Sequence, residues 1–290
     1  MVKNIKFSLI LLLLVFVSLG AVSAAEDVNA TADNNIILDS AISDEPVSYN
    51  FYSNSDVITA AVSHNVTSSN YGNYFDNKGN LKSSAVNSGD TMNLDGSFSN
   101  KNFILNKQLN VVGTSTNNMK ECSVVLVSGA SGSEVSHLNI VNTGTDKQGA
   151  FIKGATNCNI HDNKITCSGT SSFPIALNPG SNYNTISHNV ISSSGDTGVH
   201  GKSLCSIVLG GANYNTISSN SINVADANVI YGSAYDSGSF VGGKSYNNII
   251  FNNTIKTTVV PTSWNYAIQV MGSNTTIEHC YKVKKFLCEL

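Results

Sequence analysis

The chain has 290 residues, 41% of them apolar and only 12% charged, with a formal net charge of −3. That balance gives no electrostatic footing for a nucleic-acid partner. It also excludes disorder over the whole length, because the polarity comes from Asn, Ser, Thr and Gly rather than from charge, and β-branched residues are plentiful.

The N-terminus has the three parts of a secretory signal. Lys3 and Lys6 supply the positive charge, Phe7 to Leu19 the apolar stretch, and Val22-Ser23-Ala24-Ala25 the small residues for cleavage. Residues 1–24 are therefore read as a signal peptide, with an uncleaved membrane anchor as the alternative, and the protein as secreted or displayed at the cell surface. No later stretch is apolar for long enough to predict a transmembrane segment. Residues 25–66 read as a disordered linker: acidic, broken by Pro46 and without a period. Asn29 and Asn65 each open an N-x-[ST] sequon, which fits an exposed exported segment.

A polar start and clustered aromatics, Thr67 to Phe75, predict a short capping turn or helix. A stack of repeats needs such a cap, since its end exposes apolar cross-section and open strand edges. Gly89-Asp90-Thr91-Met92-Asn93-Leu94, Phe103-Ile104-Leu105 and Leu109-Asn110-Val111-Val112-Gly113 then read as strand, turn, strand.

From here one pattern recurs. Ile160-His-Asp-Asn163-Lys-Ile165 is followed by equivalents leading with Ile186, Ile217 and Ile250, at spacings of 26, 31 and 33 residues, each with its Asn: Asn189, Asn220 and Asn253. Val135, Leu138 and Ile140 form an earlier, irregular copy with Leu in the Asn place. A period of this length marks a repeat architecture, in which no unit encloses its own apolar residues and stacking builds one isoleucine column. The Asn is expected at a sharp turn, in the left-handed conformation it tolerates, with its side chain bonding from one coil to the next. Upstream strands such as Ile175-Ala-Leu177 and Ile207-Val-Leu209 give each coil two or three strands, and seven or eight coils at about 4.8 Å predict a rod of roughly 35–40 Å.

Tyr183 and Tyr214 hold equivalent places in Asn-Tyr-Asn-Thr-Ile, and Tyr246 falls close to the same place. Aligned, the rings form a ladder that either stabilises itself or offers flat faces to sugar rings. His137, Asp162 and His188 fall on three successive coils, a row that could bind a metal or shuttle a proton but is read as solvated polar residues beside a turn, with no metal assigned. Cys158 and Cys167 flank one repeat and read as small core fillers, with a Cys158–Cys167 bridge as the alternative. Residues 280–290 break the pattern: Cys280 fills the Asn place and Lys282 the apolar place. They read as an atypical tail left by truncation or a change of frame, with a true C-terminal cap as the alternative.

Residues 67–279 resemble the right-handed parallel β-helix repeat (pectin-lyase-like) family, through the Gly-Asp-Thr-Met opening and the recurrent Asn-x-Ile units. The chain is similar, more narrowly, to adhesin-like surface proteins of methanogenic archaea, in its signal peptide, its Asn-, Ser- and Ile-rich composition and its Asn106-Lys-Gln-Leu-Asn-Val-Val-Gly113 segment. The resemblance implies an all-β, single-stranded right-handed parallel β-helix (solenoid) with coils of roughly 25–33 residues. It also implies a surface adhesin that binds a polysaccharide or cell-surface glycan. The same fold carries polysaccharide lyases and hydrolases, and a purely structural stalk is a third reading.

The lyases of the family use an arginine, and all 16 basic residues here are lysine; Lys164, Lys202 and Lys244 are the substitutes within the repeats. Hydrolases need paired carboxylates, whereas Asp196, Asp226 and Asp236 stand alone and Val199-His200-Gly201-Lys202 only partly matches the hydrolase motif. No catalytic residue and no cofactor is assigned, and binding is preferred to catalysis.

Overall fold

The computed structural model describes residues 60–170, 172–194, 205–224, 228–232, 243–257, 268–270 and 272–282. The chain divides into two units, Met1–Asp56 and Val57–Leu290. The first, with the expected signal peptide and the Asn29 sequon, lies outside the described residues, as does the tail beyond Lys282.

Short alternating stretches dictate the elements. Asn110–Gly113 and Thr91–Leu94 each run half-buried, buried, half-buried, buried, the period-two pattern of a strand with one face on a core. Turn residues interrupt such runs every few positions and keep them short. The strands gather into three sheets, of nine, eight and seven strands among the described residues, and all strand pairs within them are parallel. From Thr91 onward the chain visits the first, second and third sheets in strict rotation. This all-β arrangement, with one short α-helix among the described residues at Tyr71–Tyr74, is compatible with a parallel β-helix.

Register decides what stacks. In the first sheet Val111, Val135, Ile160, Ile186, Ile217 and Ile250 stand opposite one another, all of them buried. Ile140, Ile165, Ile191, Ile222 and Ile255 do the same in the second sheet, and Val124, Ala150, Ile175 and Ile207 in the third. Each isoleucine so buried contributes about 1.5–3 kcal/mol, and each needs its neighbours in the circuits before and after. The column expected from the repeats is present, including the early copy at Val135 and Ile140.

Two expectations shift. Residues 63–66, read as linker, form a strand paired with Thr91–Leu94. The spacing between stacked circuits also spreads more widely than roughly 25–33 residues, reaching down to 19 between Thr91 and Asn110. Turn length varies while strand length hardly does, so circuits of unequal length keep one register.

At the N-terminal side, the helix Tyr71–Tyr74 places Tyr71 and Phe75 against Phe103, with ring centroids 5.3 and 5.2 Å from it, and Asn80 bridges to Ile104 at the edge of the third sheet. Buried Asp90 fastens the same end. It accepts hydrogen bonds from Val62 N, Asn87 N and His64 Nε2, and these hold its carboxyl below the usual range although burial opposes them. A second apolar cluster, Phe151, Phe173, Ala176 and Val208, buries residues that alternation alone would have turned to water, so Phe173–Leu177 is buried at all five positions.

Candidate functional site

The first sheet has strands only three or four residues long, so its two corners dominate its surface. At the exit corner, toward the second sheet, the chain turns in two residues. The first adopts a left-handed conformation: His137 (φ 58), Asp162 (φ 53), His188 (φ 56), Ser219 (φ 56) and Asn252 (φ 53). The second points inward. Here the expectation for Asn is corrected, because Asn163, Asn189, Asn220 and Asn253 are the buried second residues and not the left-handed ones. Their side chains nevertheless bond from circuit to circuit. Asn189 Oδ1 accepts from Asn163 N (3.0 Å), and Asn189 Nδ2 donates to Ile160 O (2.8 Å) and Asn220 Oδ1 (3.0 Å). Leu138, in the same place, donates its own N–H to Asn163 Oδ1.

The entry corner repeats this device with different residues. Asn157, Tyr183, Tyr214, Asn247 and Asn274 take the left-handed conformation, and a second buried amide ladder of Asn184, Asn215 and Asn248 follows them. This second ladder was missed in the sequence. Its signal is the Asn before Thr185 and before Thr216, one place ahead of each first-sheet strand. Cys158 fills its earlier rung, donating N–H to Asn184 Oδ1 at 2.8 Å.

Tyr183 and Tyr214 stack with ring centroids 5.0 Å apart and planes 12° from parallel, and they are 56% and 49% exposed. Left-handed backbone suits Asn or Gly and costs a bulky residue about 1–2 kcal/mol. Parallel stacking returns roughly 0.5–1.5 kcal/mol. Stability alone therefore gives no clear reason to prefer Tyr to the Asn found at positions 157, 247 and 274. The backbone beneath is fixed: Tyr183 N donates to Asn213 O, and Asn182 Oδ1 accepts from Asn213 N at 2.8 Å. Tyr246 does not extend the stack. Pairing of Thr216 with Ile249 puts Asn247 opposite Tyr214, while Tyr246 N donates to Asn213 Oδ1 one position earlier.

At the exit corner His161 lies between two carboxylates, Nε2 3.0 Å from Glu134 and Nδ1 2.7 Å from Asp162. Both contacts are hydrogen bonds only when the ring carries both protons. Burial works against that charge, but the two carboxylates outweigh it and raise the pKa of His161; Asp162 is correspondingly lowered, chiefly by its bond to His161. His137 packs edge-on to His161 at 6.3 Å. An open groove of about 440 Å³ adjoins this cluster, lined by Thr114, Ser115, His137, Asn139, Asp162 and Lys164 among others. The row His137–Asp162–His188 is thus the turn itself rather than a strip beside it.

Among the described residues no group of three or more His, Cys, Asp or Glu side chains is arranged to hold a metal ion. Cys158 and Cys167 do not form a bridge; both are free and buried, Cys158 as a ladder rung and Cys167 at the end of the strand Lys164–Cys167. Burial pushes the Cys167 thiol up to about 12 and raises Cys122 and Cys158 as well, which leaves them as unreactive core filling. Lys164 reaches the groove and Lys244 is exposed, while Lys202, His200, Asp196, Asp226 and Asp236 lie outside the described residues. No helix among the described residues is long and apolar enough to cross a membrane. Comparison with family models, with curated proteins and with solved structures finds no match to this chain.

Proposed function

We propose that the chain is an exported, adhesin-like right-handed parallel β-helix of the pectin-lyase-like kind, binding carbohydrate through the entry corner of its first sheet. Handedness follows from the rule that crossovers between parallel strands of one sheet are right-handed in about 98% of cases. Stacked repeats present many weak contacts in line, which suits avidity for a polymer. One observation carries the binding reading: two tyrosines held in a backbone conformation that disfavours them, stacked and half exposed. Strained residues kept at a surface point to a use for what they display. Their flat faces suit the C–H faces of pyranose rings, and Thr185 and Thr216, the first residues of the adjoining strands, supply hydroxyl groups nearby.

The test is binding of the purified protein to a panel of plant and microbial polysaccharides, with reducing-end release followed in parallel. Binding without release, weakened roughly tenfold or more when both tyrosines become Asn, is the expected outcome for loss of an aromatic anchor. Sustained release of reducing ends from any member of the panel overturns the binding-only reading.

A further inference from the structure

The exit-corner groove exists because one circuit turns differently from those stacked on it. After the strand Asn110–Gly113 the chain needs Thr114 to Asn117 to reach the next strand at Asn118, whereas the following circuits turn in two residues. Gly113 makes this possible: a Cβ there would lie 2.2 Å from His137 O, so only glycine lets this circuit cross the next so closely. The longer turn walls one side of the groove and is braced. Thr114 Oγ1 donates to Asp95 Oδ1 at 2.8 Å, Thr116 Oγ1 bonds the same carboxylate, and buried Asn117 donates to Leu94 O and accepts from Asn139 N. A wall held by four such bonds is fixed before any ligand arrives, which lowers the entropy lost on binding.

The wall and the strands beside it carry side chains with bonding capacity to spare. Among the described residues no hydrogen bond or ion pair engages the side chains of Ser115, Asn139 or Lys164, and Asp162 uses only Oδ2, toward His161. The groove thus offers a carboxylate oxygen as acceptor beside an ammonium, an amide and a hydroxyl as donors. Asp162 and Lys164, the carboxylate and ammonium that line the groove, carry opposite charges and sum to no net charge. Alternating donors and acceptors without net charge match the vicinal hydroxyls of an uncharged sugar, each of which both donates and accepts.

We propose that this groove is a second sugar subsite, taking one uncharged, hydroxyl-bearing unit of the glycan whose neighbouring units stack at Tyr183 and Tyr214. Asp162 Oδ1 accepts from one hydroxyl, and Lys164 Nζ and the Asn139 amide donate to its neighbours. The inference rests on the carbohydrate reading of the entry corner. Asp162 follows the strand Asn159–His161, which pairs with the strand Thr185–Ser187 that Tyr183 precedes, so the two sites sit at opposite ends of adjacent strands.

The experiment uses the full chain in two arms. The first titrates free neutral hexoses, hexuronates and amino sugars while following the ring resonances of His137 and His161 by NMR. The second measures polysaccharide affinity for Asp162→Asn, Lys164→Thr and the tyrosine-to-Asn double variant. Asn suits the left-handed turn at 162, as Asn252 shows, and Thr254 fills the place of Lys164 two circuits beyond its neighbour Val190. A saturable shift of His137 with neutral hexoses, and roughly tenfold weaker polymer binding by each groove variant, is expected for loss of one well-placed polar contact. Polymer bound as tightly by the groove variants as by the parent, with His137 unmoved by any sugar, overturns the subsite and leaves the tyrosine site standing. A preference for hexuronates or amino sugars overturns the uncharged class. If no polysaccharide binds, the entry-corner reading fails, and an absent His137 shift then removes the groove proposal with it.

Discussion

The two corners of the first sheet are built alike and filled differently. At each, from Asn157 to Asn253, a left-handed residue precedes a buried one, which is an Asn in every rung but Cys158. Between circuits the buried place barely changes: Asn163, Asn189, Asn220 and Asn253 at one corner, Asn184, Asn215 and Asn248 at the other. The outer place changes freely, through His, Asp, Ser and Asn at the exit and Asn and Tyr at the entry. The comparison separates two duties along adjacent residues. A buried amide must satisfy backbone groups of the circuits before and after it, and almost no other side chain has both a donor and an acceptor at that reach. The outer residue needs only to tolerate the turn, so it is where binding chemistry can be placed without disturbing the fold.

Breaking the ladder should produce the largest effect. Asn189→Ala strips a partner from Asn163 N, from Asn163 Nδ2 and from Ile160 O. With each buried group left unpaired at about 1–3 kcal/mol, a loss of at least about 3 kcal/mol is expected in urea unfolding. His188→Asn, one residue away and outside, should change stability by no more than about 0.5 kcal/mol. Equal losses from the two would erase the distinction between the places.

Completing a ladder should have a moderate effect of opposite sign. At the exit corner the rung after Asn253 is Cys280, whose thiol is 4.0 Å from Asn253 Nδ2 and 3.9 Å from Ile250 O, both poor contacts. Cys280→Asn is expected to raise stability by about 0.5–1.5 kcal/mol, one net hydrogen bond's worth, read as a higher urea midpoint.

The smallest effect belongs to an outer residue that has found partners. Because carboxylates raise the pKa of His161, its contribution is fully present below about pH 6.5, its ordinary value, and disappears as pH rises through the raised folded value. Asp162, being lowered, contributes above about pH 3.9, its ordinary value, and loses that contribution as pH falls through its depressed folded value. The difference in stability between the parent and His161→Gln should therefore be greatest between about pH 4 and 6.5 and shrink by pH 9. A half-exposed pair of this kind contributes below about 1 kcal/mol. A difference that grows between pH 6.5 and 9 would contradict the assignment.

Much of this was legible in the sequence, for a physical reason. The isoleucines at 160, 186, 217 and 250 must share an interior, so their spacing alone revealed which residues stack. The Asn of each repeat was found for the same reason, but its role was displaced by one residue, because a sequence shows that a turn is sharp and not which of its two residues reverses the backbone. Tyr246 was misaligned likewise: it stands four residues before Ile250, where Tyr214 stands three before Ile217, so it takes the place of Asn213, and only strand pairing fixes that. The Cys158–Cys167 bridge was suggested by proximity in sequence, yet both sulfurs are spent on packing at separate points of one circuit. The groove could not be read at all, since it arises from one long turn beside short ones, a relation between circuits rather than a motif within one.

The most direct test of the account is the Tyr183→Asn, Tyr214→Asn double variant, measured for both thermal stability and glycan binding. Both substitutions place at the turn the residue that Asn157 and Asn247 already put there. If the outer place carries function and the inner place carries the fold, Tm stays the same or rises while polysaccharide binding weakens roughly tenfold or more. A lower Tm with binding unchanged would show that the rings serve the fold, and would contradict the account.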